Sequence, residues 1–317
     1  MRTRRVGGVV TALVLTVVAA GCVGPSAPPA APPPPPPRPA PALVPSPVAE
    51  ITYPVGLRVL HLRRGWDRPL PTLVFYPAAS AGSPRAERYG PYRLDWAERP
   101  PARGRFPLVL FCHGLSGSAE RYADTLAAWA AAGFVVAAPT FPYTSEFTDD
   151  FRRPDIVHQP ADARYVLARV QRLAGTPGDP LWHRIDTDHM AAVGHSAGGY
   201  TTTGLFTAGH DPRLRAGVIM AGWAAPGAFA GPPATMLFLQ GKADPIVPVA
   251  SSRRLYSRVP WPKSYVLMRR DSHATYLRPG DIGYGLMNSL VVDFLRWTLE
   301  GDQAARRNLP PLTPASS

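Results

Sequence analysis

Lysine and cysteine are nearly missing from this chain. Of the 34 cationic side chains in 317 residues only Lys242 and Lys263 are lysines, so arginine carries the formal charge of +12. The arginines are scattered along the whole length instead of forming a stripe or block, which removes the electrostatic footprint that nucleic-acid binding needs. The two cysteines, Cys22 and Cys112, exclude a framework of several disulfides and any zinc cage built on thiolates. No apolar run reaches the ~20 residues of a membrane-spanning helix; the longest, from Val6 to Ala20, stops short of it. Charged residues make up only 18% against 45% hydrophobic, a balance that suits a packed interior and not a disordered chain.

Proline, by contrast, is abundant at 40 residues, and 13 of these fall between Gly24 and Val48. The segment in front of them begins with Arg2, Arg4 and Arg5, continues through the apolar run and closes on Ala19-Ala20-Gly21-Cys22, the layout of an export signal. Small residues directly before a cysteine resemble the lipobox of bacterial lipoproteins. That resemblance implies that residues 1–21 are a lipoprotein signal peptide and that the Cys22 thiol carries a diacylglycerol. It also implies that the mature protein is exported and held at the outer face of the cell membrane. Without residues 1–21 the side chains number 31 Lys+Arg against 22 Asp+Glu, a net +9. The remainder of the leader, residues 22–50, includes six consecutive prolines, Pro32 to Pro37. Lacking N–H donors and φ freedom, it is expected to form a polyproline II spacer of several tens of Å, at ~3.1 Å per residue.

Residues 51–300 read as one domain and residues 301–317 as a disordered tail. Short β-branched or apolar runs at Leu57–Leu62, Thr72–Tyr76, Leu108–Cys112, Val135–Ala138, Ala191–Val193, Ala216–Met220, Met236–Leu239 and Tyr265–Met268 predict eight strands. The first two flank a turn-like stretch and predict a hairpin at the sheet edge. Helical patterns at Ala119–Ala132, Ala161–Ala174, Gly198–Thr207, Ala250–Ser257 and Tyr284–Leu299 follow the later strands. Strands alternating with helices predict an α/β fold, with a mostly parallel eight-stranded sheet and helices on both faces. Only 15 residues separate Met220 from Met236, so no lid domain fits there. Ligands of such folds bind beyond the carboxyl ends of the strands.

After the strand ending at Val193 comes Gly194-His195-Ser196-Ala197-Gly198-Gly199, a G-x-S-x-G elbow between strand and helix. A serine hydroxyl needs a base and a carboxylate to become a nucleophile. Asp244 is the sole acidic residue between Pro212 and Arg270, and His273 the sole histidine downstream of it. The order Ser196, Asp244, His273 is that of α/β-hydrolases. Asp271, two residues before His273, is the local competitor for the carboxylate role. For an oxyanion hole the Ala197 N–H follows the nucleophile. The second donor is expected from His113-Gly114-Leu115-Ser116-Gly117, a stretch that resembles the His-Gly oxyanion loop of esterases. Leu115 is the candidate, with Gly114 next, and the Leu115 side chain would line the substrate cleft. His113 and His195 are expected to be structural, and Cys112 to pack in the core. His183, Asp186, Asp188 and His189 crowd the far end of the nucleophile strand, and no metal site is assigned to them.

Together these stretches, with Leu73-Val74-Phe75-Tyr76-Pro77 and Phe106-Pro107-Leu108-Val109-Leu110-Phe111, resemble a group of serine α/β-hydrolases. The group holds polyester hydrolases of cutinase type, platelet-activating-factor acetylhydrolases, and chlorophyllase-like and predicted dienelactone hydrolases. The likeness covers roughly Ile51 to Leu299. It implies an α/β-hydrolase fold and cleavage of a small-molecule or lipid ester through an acyl-enzyme, with no metal or organic cofactor and a monomeric state. Polyester hydrolases carry an aromatic after the strand that follows the nucleophile helix, which implies a substrate-binding role for Trp223. The chain departs from them in having Leu at 115 and no C-terminal cysteine pair. The same three residues would also serve an acyltransferase or peptidase, and a tethered binding lipoprotein on a hydrolase scaffold is the non-enzymatic alternative.

Overall fold

The structure is a computed structural model that describes residues 53–315 apart from 81–86, 90–91, 95, 97 and 208. The segments expected to be a signal peptide and a spacer, with Cys22, lie outside the described residues. All eight expected strands are present and join one sheet. They are β1 (Val55–Arg64), β2 (Arg68–Pro77), β5 (Phe106–Cys112), β6 (Val135–Pro139), β7 (Ile185–His195), β8 (Leu214–Met220), β9 (Thr235–Gly241) and β10 (Lys263–Met268). Two three-residue strands, β3 (Glu87–Tyr89) and β4 (Tyr92–Leu94), pair only with each other, inside the long insertion after β2.

The sheet order is β1-β2-β6-β5-β7-β8-β9-β10. The hairpin β1–β2 and its junction with β6 are antiparallel, and every pairing from β6 to β10 is parallel. Parallel neighbours need crossovers, and helices supply most of them. These are α1 (Ala123–Ala131), α2 (Gln159–Leu173), α3 (Ala197–Leu205) and α4 (Val249–Arg258), with α5 (Tyr284–Leu295) after β10. No helix is described between β8 and β9.

Side chains alternate across the sheet with the period of two that strand geometry imposes. On β5, Val109 and Phe111 join a core with α1 and α5 residues such as Leu126, Trp129, Leu290 and Phe294. Leu108, Leu110 and Cys112 face the other way, toward Val166 and Val170 of α2, Leu205 of α3 and Leu255 of α4. Both faces are covered, which explains why the central strands read as unbroken apolar runs. From β5 the chain moves outward to β6 and then returns to the other side of β5 as β7. The helices that follow β5 and β7, α1 and α3, therefore pack on opposite faces. Folds with such a reversal bind ligands beyond the carboxyl ends of the two strands beside it, here β5 and β7.

The C-terminal segment corrects the expectation of a disordered tail over residues 301–317. Residues 303–307 form helix α6 (Gln303–Arg307), whose N-terminus is capped by the Asp302 carboxylate accepting from Ala304 and Ala305 N–H. Leu309 joins the α1–α5 core. Thr313 then exchanges both backbone hydrogen bonds with Lys263, at 3.1 and 2.8 Å. β10 is a sheet edge whose unpaired N–H and C=O groups need partners, and the segment supplies some of them. Its prolines look like loop locally; the edge that orders them is distant in sequence.

Candidate functional site

Ser196 stands between the last residue of β7 and the first of α3 with φ 57° and ψ −119°, backbone space that costs a non-glycine residue about 1–3 kcal/mol. The turn is tight enough to dictate its neighbours. A Cβ on Gly194 would lie 2.1 Å from the Gly198 carbonyl oxygen, and one on Gly198 would lie 1.9 Å from that of Cys112. Both glycines of the elbow are thus steric requirements. The Ser196 N–H donates to Met220 O at 2.9 Å, and Ser196 O accepts from Tyr200 N–H at 3.1 Å. The backbone is held from two sides, which aims Oγ at the His273 imidazole.

His273 Nε2 lies 2.9 Å from Ser196 Oγ, and His273 Nδ1 lies 2.8 Å from Asp244 Oδ2. The Asp244 side chain is fully buried. Its charge is met by Gln240 Nε2, which donates to Oδ2 at 3.0 Å, and by the N–H groups of Ile246 and Val247, both donating to Oδ1 at 2.8 Å. A carboxylate with this many donors is fixed in orientation. Asp271 is engaged elsewhere. Its Oδ1 accepts from the Thr275 hydroxyl at 2.9 Å and its carboxylate lies against Gly283, where a Cβ would come within 2.4 Å. The competition between the two carboxylates for the imidazole therefore falls to Asp244.

His195 does more than pack. Its Nε2 lies 2.8 Å from the His273 backbone carbonyl, with the two rings 4.7 Å apart. Burial, with His273 beside it, lowers the His195 pKa to about 3, so the ring is neutral and Nε2–H donates. The elbow residue thus grips the backbone of the imidazole that approaches Ser196. His113 is locked in the opposite tautomer: Nδ1 donates to Gly114 O at 2.7 Å and Nε2 accepts from Phe141 N–H at 2.9 Å. Burial brings its pKa down to about 4. A proton on Nε2 would break the Phe141 bond.

The loop after β5 runs against the elbow: a Cβ on Gly114 would sit 3.0 Å from Ser196 Cβ. The insertion after β6 holds this loop in place. Ser116 N–H donates to Thr144 O at 2.8 Å, Glu146 N–H to Gly117 O at 3.2 Å, and Ser118 Oγ to Glu146 Oε1 at 2.7 Å. Glu146 also takes Arg121 and the Tyr92 hydroxyl, and these donors keep its pKa below the usual carboxylate range against its partial burial. Among the described residues no backbone hydrogen bond occupies the N–H of Leu115 or of Ala197. Leu115 is half-buried, as is Trp223, whose ring lies 5.9 Å from that of Tyr200 on α3. Cys112 is buried, and burial raises its thiol pKa.

A family model described as PET hydrolase-like matches residues 126–307, more than half of the chain. The chain belongs to the PET hydrolase-like family. A second model, for platelet-activating factor acetylhydrolase isoform II, matches residues 89–161 of this PET hydrolase-like chain. Over 266 residues it is 31% identical to the protein named "Putative esterase NocK" of Nocardia uniformis subsp. tsuyamanensis. That match takes in 78% of this chain and 65% of the relative, so the chain spans somewhat less than two-thirds of the relative's length. Among solved structures, a ferulic acid esterase from Streptomyces cinnamoneus superposes with a TM-score of 0.62 at 21% identity, over 81% of this chain and 93% of that one. The shared architecture is the α/β-hydrolase fold.

At the opposite end of the sheet a surface depression of about 500 Å³ is lined by Arg105, Asp186, His189, Arg215, Trp297 and Glu300, among others. Among the described residues no three His, Cys, Asp or Glu side chains are grouped as metal ligands. His195, Gln240 and Glu146 were not singled out for their roles by sequence reasoning. Gln240 left a trace, as the lone polar residue in the Met236–Gln240 run that ends just before Asp244.

Proposed function

We propose that this PET hydrolase-like chain is an exported, lipid-anchored serine hydrolase of carboxylic esters. The observation that carries the enzymatic part is the continuous hydrogen-bonded line from Ser196 Oγ through His273 to the buried Asp244. His273 Nε2 takes the Ser196 proton as Oγ attacks the ester carbonyl, while Asp244 holds the tautomer and stabilises the imidazolium. The tetrahedral oxyanion is met by the N–H groups of Ala197 and Leu115. Collapse breaks the bond to the alkoxy group, which leaves with the proton from His273. Water then repeats the sequence on the acyl-enzyme, releasing the acid and restoring Ser196. No step calls for a metal or organic cofactor. Leu115 and Trp223 line the acyl or alcohol side of the cleft. An acyltransferase would differ only in the second acceptor.

The anchor rests on Ala19-Ala20-Gly21-Cys22 and on the spacer behind it. A fluorophosphonate is expected to label Ser196 stoichiometrically, and p-nitrophenyl esters to be hydrolysed by parent but not by Ser196→Ala. Labelling at another residue overturns the enzymatic proposal. Full-length protein expressed in a bacterial host is expected to partition with membranes and to carry acyl groups on Cys22, and Cys22→Ser to be soluble. A mature N-terminus other than Cys22 overturns the anchor and leaves the hydrolase standing.

A further inference from the structure

Three fully buried polar side chains on three separate segments are joined edge to edge beside the elbow. Thr201 of α3 lies five residues after Ser196, and its hydroxyl donates to Gln159 Oε1 at 2.6 Å. Gln159, the first residue of α2, donates through Nε2 to Thr144 Oγ1 at 2.7 Å. Thr144 in turn accepts the Ser116 N–H on its carbonyl at 2.8 Å. At the other end Thr201 Oγ1 also lies 3.0 Å from Ala197 O, so its one proton is shared between that carbonyl and Gln159 Oε1. All three side chains have zero exposure. The line therefore starts at Ala197, whose N–H is one oxyanion donor of the proposed mechanism, and ends at Ser116, next to Leu115, whose N–H is the other.

Nothing in helix packing asks for this arrangement. Three polar groups in an apolar interface are costly unless every one is satisfied, and apolar residues of the same volume would pack α2 on α3 as well. What the line does supply is a fixed distance between two loops that leave different strands. Cys112 and Gly194 are the last residues that β5 and β7 pair; beyond them the two segments stay in contact, Gly114 against Ser196, but β pairing no longer sets their spacing.

We infer that Gln159 is a positioning residue that sets the separation of the Leu115 and Ala197 N–H donors. The inference rests on the acyl-enzyme reading above and assigns a role to a side chain that touches no reacting atom. Displaced donors stabilise the oxyanion less while leaving ground-state binding alone, so the loss belongs in kcat.

The test compares parent with Gln159→Met, Thr144→Val and Thr201→Val, each close to isosteric. The readouts are kcat and KM on p-nitrophenyl butyrate and Ki for an alkyl trifluoromethyl ketone, whose adduct with serine carries an oxyanion. Gln159→Met is expected to lower kcat by about 10- to 100-fold with KM within about twofold. Ki should rise in parallel with the fall in kcat/KM, and the pH of half-maximal rate should stay put. Combining Gln159→Met with Thr144→Val is expected to cost little more than either alone, because both cut one line. Folded variants with parental kcat, or a loss confined to KM with Ki unchanged, overturn the inference. If Gln159→Met does not fold, the two valine variants decide it; if none folds, the role is structural and the inference fails. A parent that hydrolyses no ester and takes no fluorophosphonate overturns the acyl-enzyme reading and this inference together. An active parent that is silenced by Ser196→Ala but indifferent to Gln159→Met overturns this inference alone.

Discussion

At the carboxyl end of the sheet His273 meets Asp244 at 2.8 Å, and at the opposite end His189 meets Asp186 at the same distance. The residue types match, yet the surroundings differ in every respect that matters for chemistry. Asp244 is fully buried and takes two backbone N–H groups and Gln240, whereas the Asp186 and His189 side chains are 21% and 32% exposed. Asp186 accepts one N–H, from Asp188, and Arg105 stands 3.5 Å away, itself largely in solvent. His273 turns its second nitrogen to a hydroxyl; no hydrogen bond of the second His189 nitrogen is seen among the described residues. The His189 pair comes from one strand that skips register, where Pro107↔Asp186 is followed directly by Leu108↔Met190. The His273 pair comes from the loops after β9 and β10. A histidine–carboxylate contact near the surface is by itself of little consequence. In the proposed mechanism, burial, backbone donors and a third group turn a pair of this kind into a base held against a nucleophile.

The sharpest way to break this contrast is to remove the third group. Ser196→Ala is expected to lower kcat by about 10⁶-fold, while His189→Asn leaves it within about twofold. Equal losses in ester hydrolysis would erase the distinction between the two ends. Next in size is the carboxylate. Asp244→Asn should reduce turnover by on the order of 10³–10⁴, because an amide in that position favours the wrong imidazole tautomer. Asp271→Asn should cost far less, and near-ultraviolet circular dichroism should show both variants folded. Collapse of activity in Asp271→Asn alone would move the acid. A smaller effect is expected from His195→Phe. It loses one hydrogen bond to the His273 carbonyl, of about 1 kcal/mol, and kcat should drop by about 5- to 10-fold with fluorophosphonate labelling slowed but complete.

The smallest effect is one of stability. His113 and His195 have native pKa values lowered to about 4 and about 3, below the ~6.5 of an unfolded histidine. As pH falls through 6.5 the unfolded chain binds protons that the native chain refuses, so stability declines from about pH 6.5 downward and the histidine contribution is exhausted near pH 3 to 4. Between pH 6.5 and 5 ordinary carboxylates contribute little, which isolates the histidines. Urea midpoints are expected to fall across that window, and to fall less steeply in His195→Phe. A flat profile in the parent would contradict the buried neutral rings.

Much of the arrangement could be read in one dimension because it depends on local rules. Apolar runs and their spacing were enough for eight strands, since central parallel strands are covered on both faces and show no polar alternation. The elbow was legible because steric crowding restricts the two positions flanking Ser196 at a distance of two to glycine, whatever surrounds them. Asp244 and His273 could be named by counting, as each lacked a local competitor of its own type apart from Asp271. What could not be read was anything settled by residues far apart in sequence. His195 seemed a packing residue until the loop after β10 laid the His273 carbonyl against it. Gln159 lies just before the predicted helix Ala161–Ala174, and nothing in its neighbourhood marks it out. The C-terminal segment looked unstructured, because its order comes from the β10 edge and not from its own composition.

The sequence by itself determined the α/β class, the strand-turn-helix at Ser196 and the residue types able to serve as base and acid. Each follows from backbone sterics and hydrophobic periodicity over a few residues. Only the tertiary structure decided which carboxylate meets the imidazole, which tautomers His113 and His195 hold, and how the buried side chains of Thr144, Gln159 and Thr201 are linked. Hydrogen bonds of that kind form between groups separated by dozens of residues, and their partners are chosen by where the sheet brings the strand ends, which no local pattern records.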